Sequence, residues 1–353
     1  MNHSEKTYWV ALKMVDGVGA VSYKLLLDAL GSPENVFRAT VSELMIVEGI
    51  GKKIAFAIRD FNSWDVAESE IVHASQNDVT IVTIHDESYP SALRNIYDAP
   101  PFLYVKGHLL PEDNCVALVG SRRASEYGIF ATHKLANELA QRGITVVSGL
   151  ARGIDATAHR ATISSRGRTI AVLGCGIDVV YPLENKTLFE KIPLNGAIVS
   201  EYPLGTKPNS EHFPARNRII SGMSLGVVVI EATDKSGSLI TARFALEQGR
   251  EVFAVPGPIG NAGSKGTNML IKNGAKLIEC ADDIIDELLP QLRFCSSVTE
   301  NNIADIKVKK QNVDVSQLTS TELSLIEFVS NQKVSIDDIV SELNISVKDA
   351  LHA

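Results

Sequence analysis

The stretch VALVGSRRASEYG, residues 116–128, joins a short apolar run to a turn that carries two adjacent arginines. Residues 116–119 have the length and β-branched content of a core strand, and the glycine that follows permits a sharp exit. In an open α/β sheet, ligands bind in the crevice at the carboxyl ends of the strands. The turn therefore presents Ser121, Arg122 and Arg123 to a ligand, and the arginines indicate an anion.

Length and composition are those of an ordinary globular chain. The 353 residues are 45% hydrophobic and 22% charged, which is material for about two or three domains. No stretch reaches the roughly 18 consecutive apolar residues of a membrane span, and the start MNHSEKTYWV lacks the apolar core of a signal peptide. We therefore expect a cytoplasmic protein with no membrane partner.

The cysteines indicate neither a metal site nor a disulfide framework. Cys115, Cys175, Cys280 and Cys295 are scattered without C-x-x-C spacing. Free cysteine packs as a small hydrophobic residue, so buried thiols are expected. We predict no metal and no cofactor.

The net charge of −8 is unevenly placed. Residues 116–222 contain thirteen lysines and arginines against eight acidic residues, whereas residues 279–353 contain six against fourteen. Because the placement of charge matters more than its total, the middle of the chain is predicted to bind an anion and the C-terminal part a different partner.

Two glycine turns with helical flanks repeat near the N-terminus. MVDGVGAVSYKLLLDAL begins at Met14, and IVEGIGKKIAFAIRDF begins at Ile46. Each is typical of a helix-hairpin-helix, whose turn can offer backbone N–H groups to a phosphate. Only the second carries lysines directly after its glycine turn, Lys52 and Lys53. A helical bundle that uses these turns for packing alone explains the pattern equally well. We predict a helical, SAM-like domain over residues 1–75.

From residue 116 onward, strand patterns alternate with helical ones: VALVG, ITVVSG, TIAVLG, AIVSE, GVVVIEA, EVFAVPG and AKLIE are the strands. Such alternation requires crossover connections and a mostly parallel sheet covered on both faces. The predicted fold class is α/β, with an extended Rossmann-like, mostly parallel sheet over residues 76–295. PFLYVKG is a short strand that leads into it, and a polar linker, residues 296–317, follows.

The predicted strand ends are rich in glycine, serine and arginine. Ser148, Gly149, Arg152 and Gly153 follow one strand, and Ser236-Gly237-Ser238 precedes a helix, where free N–H groups and the helix dipole favour a phosphate. Several such turns on one sheet edge make a phosphate-rich ligand the economical interpretation.

The glycine turns match neither of the common nucleotide-binding motifs. G-x-G-x-x-G is missing from the first turn and G-x-x-x-x-G-K-[ST] from the chain, which disfavours a dinucleotide and ATP. Arginines and backbone N–H groups suit the successive phosphates of a nucleic acid, and Tyr127, Tyr202 or Phe213 is available to stack on bases. Core packing explains these aromatic residues as well.

Five consecutive segments resemble a known family. VALVGSRRASEYG, VVSGLARGIDATAHR, AVLGCGIDVVYPLEN, SEYPLGTKPNSEHFPARNRIISGMS and VVVIEATDKSGSLITARFALEQGREVFAVPG follow in order the pattern of the DNA-processing protein A family (DprA, also called Smf). The resemblance implies an extended Rossmann domain that binds single-stranded DNA, no established catalytic activity, homodimerisation through that domain, and loading of the RecA recombinase during natural transformation.

Carried over residue by residue, the resemblance and the turns above give one set of DNA-binding residues. The set is Gly120, Ser121, Arg122, Arg123, Ser148, Gly149, Arg152, Gly153, Lys207, Phe213, Arg216, Asn217, Arg218, Lys235, Ser236, Gly237, Ser238 and Thr241. Within it, Arg122, Lys207, Arg216 and Arg218 are predicted to neutralise phosphates along a groove. No catalytic or metal-binding residue is predicted.

The C-terminal segment, residues 318–353, resembles the opening helices of a winged helix, which many members of this family carry. The sequence stops before a third helix and a β-hairpin, so we predict a partial winged-helix-like domain. Its acidity opposes contact with phosphates, which favours a protein partner.

An enzymatic alternative is a nucleoside monophosphate hydrolase, a type found in the wider Rossmann-like superfamily. Asp155, His159, Glu201 and Glu231 are its candidates for general acid or base. A helix-capping role for Asp155 and simple hydrogen bonding for His159 are the structural alternatives. No activated nucleophile accompanies them, so DNA binding is the preferred prediction.

Overall fold

The first part of the chain is helical. The structure is a computed structural model that describes residues 3–299, with side chains up to residue 292. Six helices come first: α1 (Glu5–Met14), α2 (Ala20–Leu30), α3 (Pro33–Arg38), α4 (Val41–Ile46), α5 (Lys52–Arg59) and α6 (Trp64–Gln76).

The two predicted glycine turns connect helices of this segment. Gly17 and Gly49 have φ angles of 86° and 80°, a left-handed conformation that glycine adopts without steric cost. Gly19 and Gly51 are the N-cap residues of α2 and α5. The predicted helix-hairpin-helix turns are therefore present.

A nine-stranded sheet follows. Its strands are β1 (Thr80–Thr83), β2 (Phe102–Gly107), β3 (Cys115–Val119), β4 (Thr145–Ser148), β5 (Thr169–Leu173), β6 (Gly196–Ser200), β7 (Gly226–Val229), β8 (Glu251–Ala254) and β9 (Lys276–Leu277). Their order across the sheet is β1-β2-β6-β5-β4-β3-β7-β8-β9. β2 pairs antiparallel with β1 and β6, and β3 to β9 are parallel, which confirms the mostly parallel sheet.

Helices cover both faces of the sheet. They are α7 (Ser91–Arg94), α8 (Glu126–Gln141), α9 (Ile154–Ser164), α10 (Lys186–Lys191), α11 (His212–Met223), α12 (Ser238–Glu247), α13 (Lys265–Lys272) and α14 (Ala281–Thr299). Side chains alternate along a strand, so Val116 and Leu118 pack with α8, α9 and α14, whereas Ala117 and Val119 pack with α11 and α12. Burial of both faces explains the continuous apolar runs.

The helical segment and the sheet share one hydrophobic core, to which Trp9 of α1 and Ile81 of β1 both belong. Polar contacts reinforce it: the Lys6 ammonium donates to the Ile81 carbonyl oxygen at 2.8 Å, and the Glu70 carboxylate accepts from the Leu204 amide at 2.9 Å. The helices therefore pack as a layer of the molecule rather than as a separate appendage.

The direction of strand order reverses at β3. β4, β5 and β6 follow on one side of it, and β7, β8 and β9 follow on the other. Such a reversal opens a crevice at the carboxyl ends of the adjacent strands, here β3 and β7, where ligands of α/β proteins bind. The turn with the paired arginines leaves β3 at this crevice.

The C-terminal predictions lie mainly beyond the part of the chain that the structure describes. Contacts place Met1–Val298 in one compact unit, so the boundary predicted at residue 75 falls inside that unit and stays a prediction. α14 includes the first residues of the predicted linker; the rest of residues 296–317 and the winged-helix-like residues 318–353 lie outside the described residues. Within residues 3–299, no helix has the length and apolar character to cross a membrane.

Candidate nucleic-acid interface

A groove of about 900 Å³ lies at the carboxyl ends of β3 and β7. Its walls come from the turn after β3, the first half of α11, the turn before α12 and the loop after β8. Of the predicted residues, those that line it are Gly120, Ser121, Arg122, Arg123, Phe213, Arg216, Asn217, Ser236, Gly237, Ser238 and Thr241.

Backbone hydrogen bonds to the segment after β7 and to the start of α9 fix the conformation of the turn after β3. The Ser121 amide donates to the Glu231 carbonyl oxygen at 2.8 Å, and the Ile154 amide donates to the Ser121 carbonyl oxygen at 3.1 Å. Arg122 and Arg123 are exposed and have no ion pair among the described residues. Two uncompensated positive charges therefore stand at the mouth of the groove.

Aromatic rings line the wall beside Arg122. Its guanidinium lies 5.5 Å from the ring centroid of Phe213, and Phe213 stacks on Tyr181 with 5.6 Å between centroids. Tyr181 is 44% exposed. An arginine next to accessible rings combines a phosphate contact with a stacking surface for bases.

The start of α12 forms another wall. The hydroxyls of Ser236 and Ser238 lie 2.8 Å apart, and the Asn217 side-chain amide donates to the Gly237 carbonyl oxygen at 3.4 Å. Thr241, one turn into the helix, is 1% exposed and lines the groove. The N-cap residue Gly237 supplies no side-chain hydrogen bond, so the helix dipole and these hydroxyls favour a bound phosphate.

Glu231 lies at the floor beside α8. Its carboxylate accepts hydrogen bonds from the Ser125 amide at 3.1 Å and from the Ser125 hydroxyl, and that hydroxyl accepts from the Gly128 amide at 3.1 Å. A Cβ on Gly128 would lie 2.6 Å from the Glu231 carboxylate. The carboxylate therefore holds the start of α8 against the groove.

Arg216 lines the groove but turns inward. It is 4% exposed and donates to the carbonyl oxygens of Gly149, at 2.7 Å, and Val172. Burial raises the pKa of the nearby Asp155 carboxyl. The positive charge of Arg216 and the hydrogen bonds from the Gly149 and Ala151 amides act in the opposite direction and lower that pKa. Arg216 thus ties together the carboxyl ends of β4 and β5.

Several predicted residues lie beside the groove rather than in its walls. Gly149 and Arg152 line a smaller adjoining cavity, and the Arg152 guanidinium pairs with the Glu184 carboxylate at 2.7 Å. Ser148 is buried in β4. Gly153, with a φ of 71°, packs directly under the turn after β3.

Three predicted cations are not brought into the groove. Lys207 and Lys235 are exposed outside its walls. The Arg218 guanidinium is buried and pairs with Asp98 at 3.0 Å and with Glu201 at 2.7 Å. Residues two apart on a helix lie about 200° apart around its axis, so Arg216 and Arg218 face different surroundings.

All four acid or base candidates of the hydrolase alternative have structural partners. Asp155 accepts from backbone amides, Glu201 pairs with Arg218, and Glu231 holds the start of α8. His159 is fully buried 2.7 Å from the Thr169 hydroxyl, and burial lowers its pKa to about 3. Within residues 3–299, no cluster of His, Cys, Asp and Glu is arranged to hold a metal ion.

The sequence reasoning missed Tyr181 and the loop after β8, from which Asn261 and Gly263 line the groove. A signal existed for that loop, because it follows a strand at the same sheet edge and is rich in glycine and proline. Of the other aromatic candidates, Tyr127 donates its hydroxyl to a carbonyl outside the groove, and Tyr202 stacks on a histidine at 4.2 Å.

Comparisons with known proteins agree along most of the chain. The family model described as DNA recombination-mediator protein A matches residues 80–289, and the model of a SAM-like helix-hairpin-helix tandem matches residues 10–61. Protein Smf of Synechocystis is 40% identical over 297 residues, which cover 82% of this chain and 74% of that protein. DNA processing protein DprA of Streptococcus pneumoniae is 47% identical over 206 residues, 58% of this chain and 73% of that protein.

Solved structures show the same fold. The X-ray structure of DprA from Streptococcus pneumoniae matches with a TM-score of 0.71 at 37% identity, covering 81% of this chain and 99% of that one. A structure of DprA from Helicobacter pylori, described with its single-stranded DNA binding mode, matches with a TM-score of 0.54 at 34% identity, covering 60% and 97%.

Proposed function

The chain belongs to the DNA recombination-mediator protein A family, and we propose that it binds single-stranded DNA along the groove at β3 and β7 and passes the strand to the RecA recombinase. The protein acts by binding, in the cytoplasm, and not by catalysis. The description of the Helicobacter pylori relative supports the ligand, and the family description supports a role in recombination.

One observation carries the proposal: an unpaired arginine, an accessible aromatic pair and an open helix N-terminus share one groove. Arg122 neutralises a phosphate, Phe213 and Tyr181 offer a stacking surface for bases, and the start of α12 receives a second phosphate. None of these contacts reads the edge of a base, so affinity depends steeply on salt and weakly on sequence.

The buried arginines have a supporting role in this proposal. Arg216 and Arg218 hold α11 in place, because their guanidinium groups are already bonded to protein atoms. Lys207, exposed on the loop before α11, adds positive charge beside the groove, whereas the charge of Arg152 is compensated by Glu184.

A homodimer through the Rossmann-like domain would place two such grooves in one particle. β9 is the last strand of the sheet, and Met269 and Leu277 near it are 43% and 45% exposed. Two strand-binding grooves in one dimer would let coated strands meet, and RecA would assemble on DNA that the dimer already holds.

The test is fluorescence anisotropy of a labelled single-stranded oligonucleotide and its duplex over a salt series. We expect preference for the single strand, and Arg122→Ala to lower the slope of log K against log salt by about 0.7, the value for one phosphate contact. The control is Arg38→Ala, an exposed arginine on α3 paired with Glu34.

Equal slopes for Arg122→Ala and the unchanged protein would remove Arg122 from the interface. Tight binding of duplex, or no binding of single strands at moderate salt, would reject the proposed function. RecA loading has its own assay: on strands coated by single-strand binding protein, RecA filaments should form faster with the protein than without it, and Arg122→Ala should lose the gain.

A further inference from the structure

A second cavity, of about 440 Å³, lies between the helical segment and the sheet. Lys13 of α1, Arg218 of α11 and Glu201, the first residue after β6, are its charged lining residues. Phe102, Tyr104 and Tyr202 supply aromatic lining. Positive charge and aromatic rings therefore meet here as they do in the groove.

Lys13 is the unexplained group of this cavity. Its ammonium has no hydrogen bond or ion pair among the described residues, although α1 packs it against the sheet. Burial lowers its pKa, and the Glu201 carboxylate opposes that shift without forming an ion pair. Glu201 is instead bound to Arg218 at 2.7 Å. Lys13 is half-buried, so its ammonium loses part of its hydration without a protein partner that compensates for the loss.

Arg218 is the other cation of this cavity. Two of its three guanidinium nitrogens form ion pairs with Asp98 and Glu201. Its Nη1 is buried with no hydrogen-bond partner among the described residues. The cavity wall thus holds more hydrogen-bond donors than the protein satisfies, which favours an anionic ligand over a neutral one.

The cavity is next to the groove along the chain. α11 forms a wall of both: Phe213 and Asn217 line the groove, and Ala215 and Arg218 line the cavity. The loop before α11 also reaches both, with residues 202 and 203 at the cavity and residues 208 and 210 at the groove. Lys207, exposed, lies on that loop between the two.

We propose that the cavity binds a nucleotide of the same single strand after it leaves the groove, with Lys13 on a phosphate and Tyr202 against a base. The strand crosses the loop at Lys207, and the helical segment thereby becomes part of the DNA-binding surface. This inference rests on the proposed function. It gives a ligand to the unpaired ammonium of the half-buried Lys13 and to the unsatisfied Nη1 of Arg218.

The experiment compares oligothymidylates of about 6 and about 20 nucleotides, since one binding module covers about 4 to 16 nucleotides. Lys13→Met removes the charge and suits the apolar surroundings, so the fold is expected to persist. At about 0.1 M salt it should weaken the long strand about fivefold and lower its salt slope by about 0.7, while the short strand binds as before. Lys13→Arg should restore the long-strand affinity.

Lys24→Met, on α2 and outside both cavities, is the matched control. Equal effects of Lys13→Met on both lengths, or none on either, would overturn the inference while leaving the groove intact. A third outcome would also overturn the inference. If thymidine monophosphate binds the unchanged protein and binds Lys13→Met more weakly, while the affinity for neither oligothymidylate changes, the cavity would be assigned to a free nucleotide. Failure of the proposed function is distinguishable, because the unchanged protein would then bind neither length.

Discussion

The guanidinium of Arg216 satisfies two carbonyl oxygens beneath the groove, at the ends of β4 and β5. Arg216→Ala leaves the carbonyls of Gly149 and Val172 without this donor and the buried Asp155 without a nearby positive charge. We expect a loss of about 3 kcal/mol in the free energy of unfolding, measured by urea titration, because a buried charge network loses one member.

DNA binding separates this structural role from a direct one. At temperatures where Arg216→Ala remains folded, its salt slope should equal that of the unchanged protein, unlike the slope of Arg122→Ala. A variant of unaltered stability with a reduced slope would show that Arg216 contacts a phosphate itself, as the sequence predicts.

His159 gives the molecule a pH dependence. Burial lowers its pKa from 6.5 to about 3, and its Nε2 has no partner among the described residues. Between these pH values the unfolded chain binds a proton that the folded protein excludes, so stability falls as pH falls. From pH 7 to pH 5 we expect a loss of about 2 kcal/mol from this residue.

His159→Asn isolates that contribution. The variant should lose less stability than the unchanged protein when denaturant unfolding is repeated from pH 7 to pH 5, whatever its stability at pH 7. Parallel pH profiles of the two proteins would mean that the imidazole takes up a proton as readily in the folded protein as in the unfolded chain.

At the scale of elements, the turn after β3 depends on the start of α9. Gly153 has a φ of 71°, and a Cβ there would overlap the Ser121 carbonyl oxygen and lie 2.8 Å from the Arg122 carbonyl carbon. Gly153→Ala should therefore displace the turn, cost about 2 kcal/mol or more, and weaken single-strand binding.

Gly143→Ala is the matched control, since Gly143 has a φ of 73° but no atom near its missing Cβ. It should cost about 1 kcal/mol through its backbone alone and leave DNA affinity unchanged. Both quantities follow from urea unfolding and anisotropy. Gly153→Ala with the affinity of the unchanged protein would show that the position of the turn does not matter for binding.

Strands and turns of the Rossmann-like part are readable from the sequence because parallel strands buried on both faces are continuous apolar runs. β1 is missed: four residues, Thr80–Thr83, at an antiparallel edge give too short a pattern. α11 begins at His212, so Arg216 and Arg218 both lie within a helix. The helical phase, which directs Arg218 away from the groove, is not contained in the motif that suggested both arginines as phosphate contacts.

The site is predictable to the same extent and for the same reason. The residues after β3 and before α12 line the groove because strand ends and helix starts share one sheet edge. Which arginine is free and which is buried depends on partners distant in sequence, such as Asp98 and Glu201 for Arg218. No local pattern contains that information.

At the scale of the molecule, the helical segment and the sheet share a core, and cooperativity follows from it. Both tryptophans, Trp9 and Trp64, lie in the helical segment, and the Trp9 ring packs edge-on against His85 beyond β1 at 5.1 Å. Tryptophan fluorescence therefore reports on the helical segment and on its contact with the residues after β1. If the shared core couples them to the sheet, fluorescence and amide exchange at β4 and β5 should show one urea midpoint.

A helical segment that only rests on the sheet would behave differently. Fluorescence would then change at lower urea than exchange of the strand amides, and the predicted boundary at residue 75 would mark an independent folding unit. Ile81→Ala tests the coupling itself: it removes core contacts on the sheet side and should shift both transitions together by about 3 kcal/mol. Because β2 and the loop after β6 line the second cavity together with α1, the same coupling bears on the integrity of that cavity.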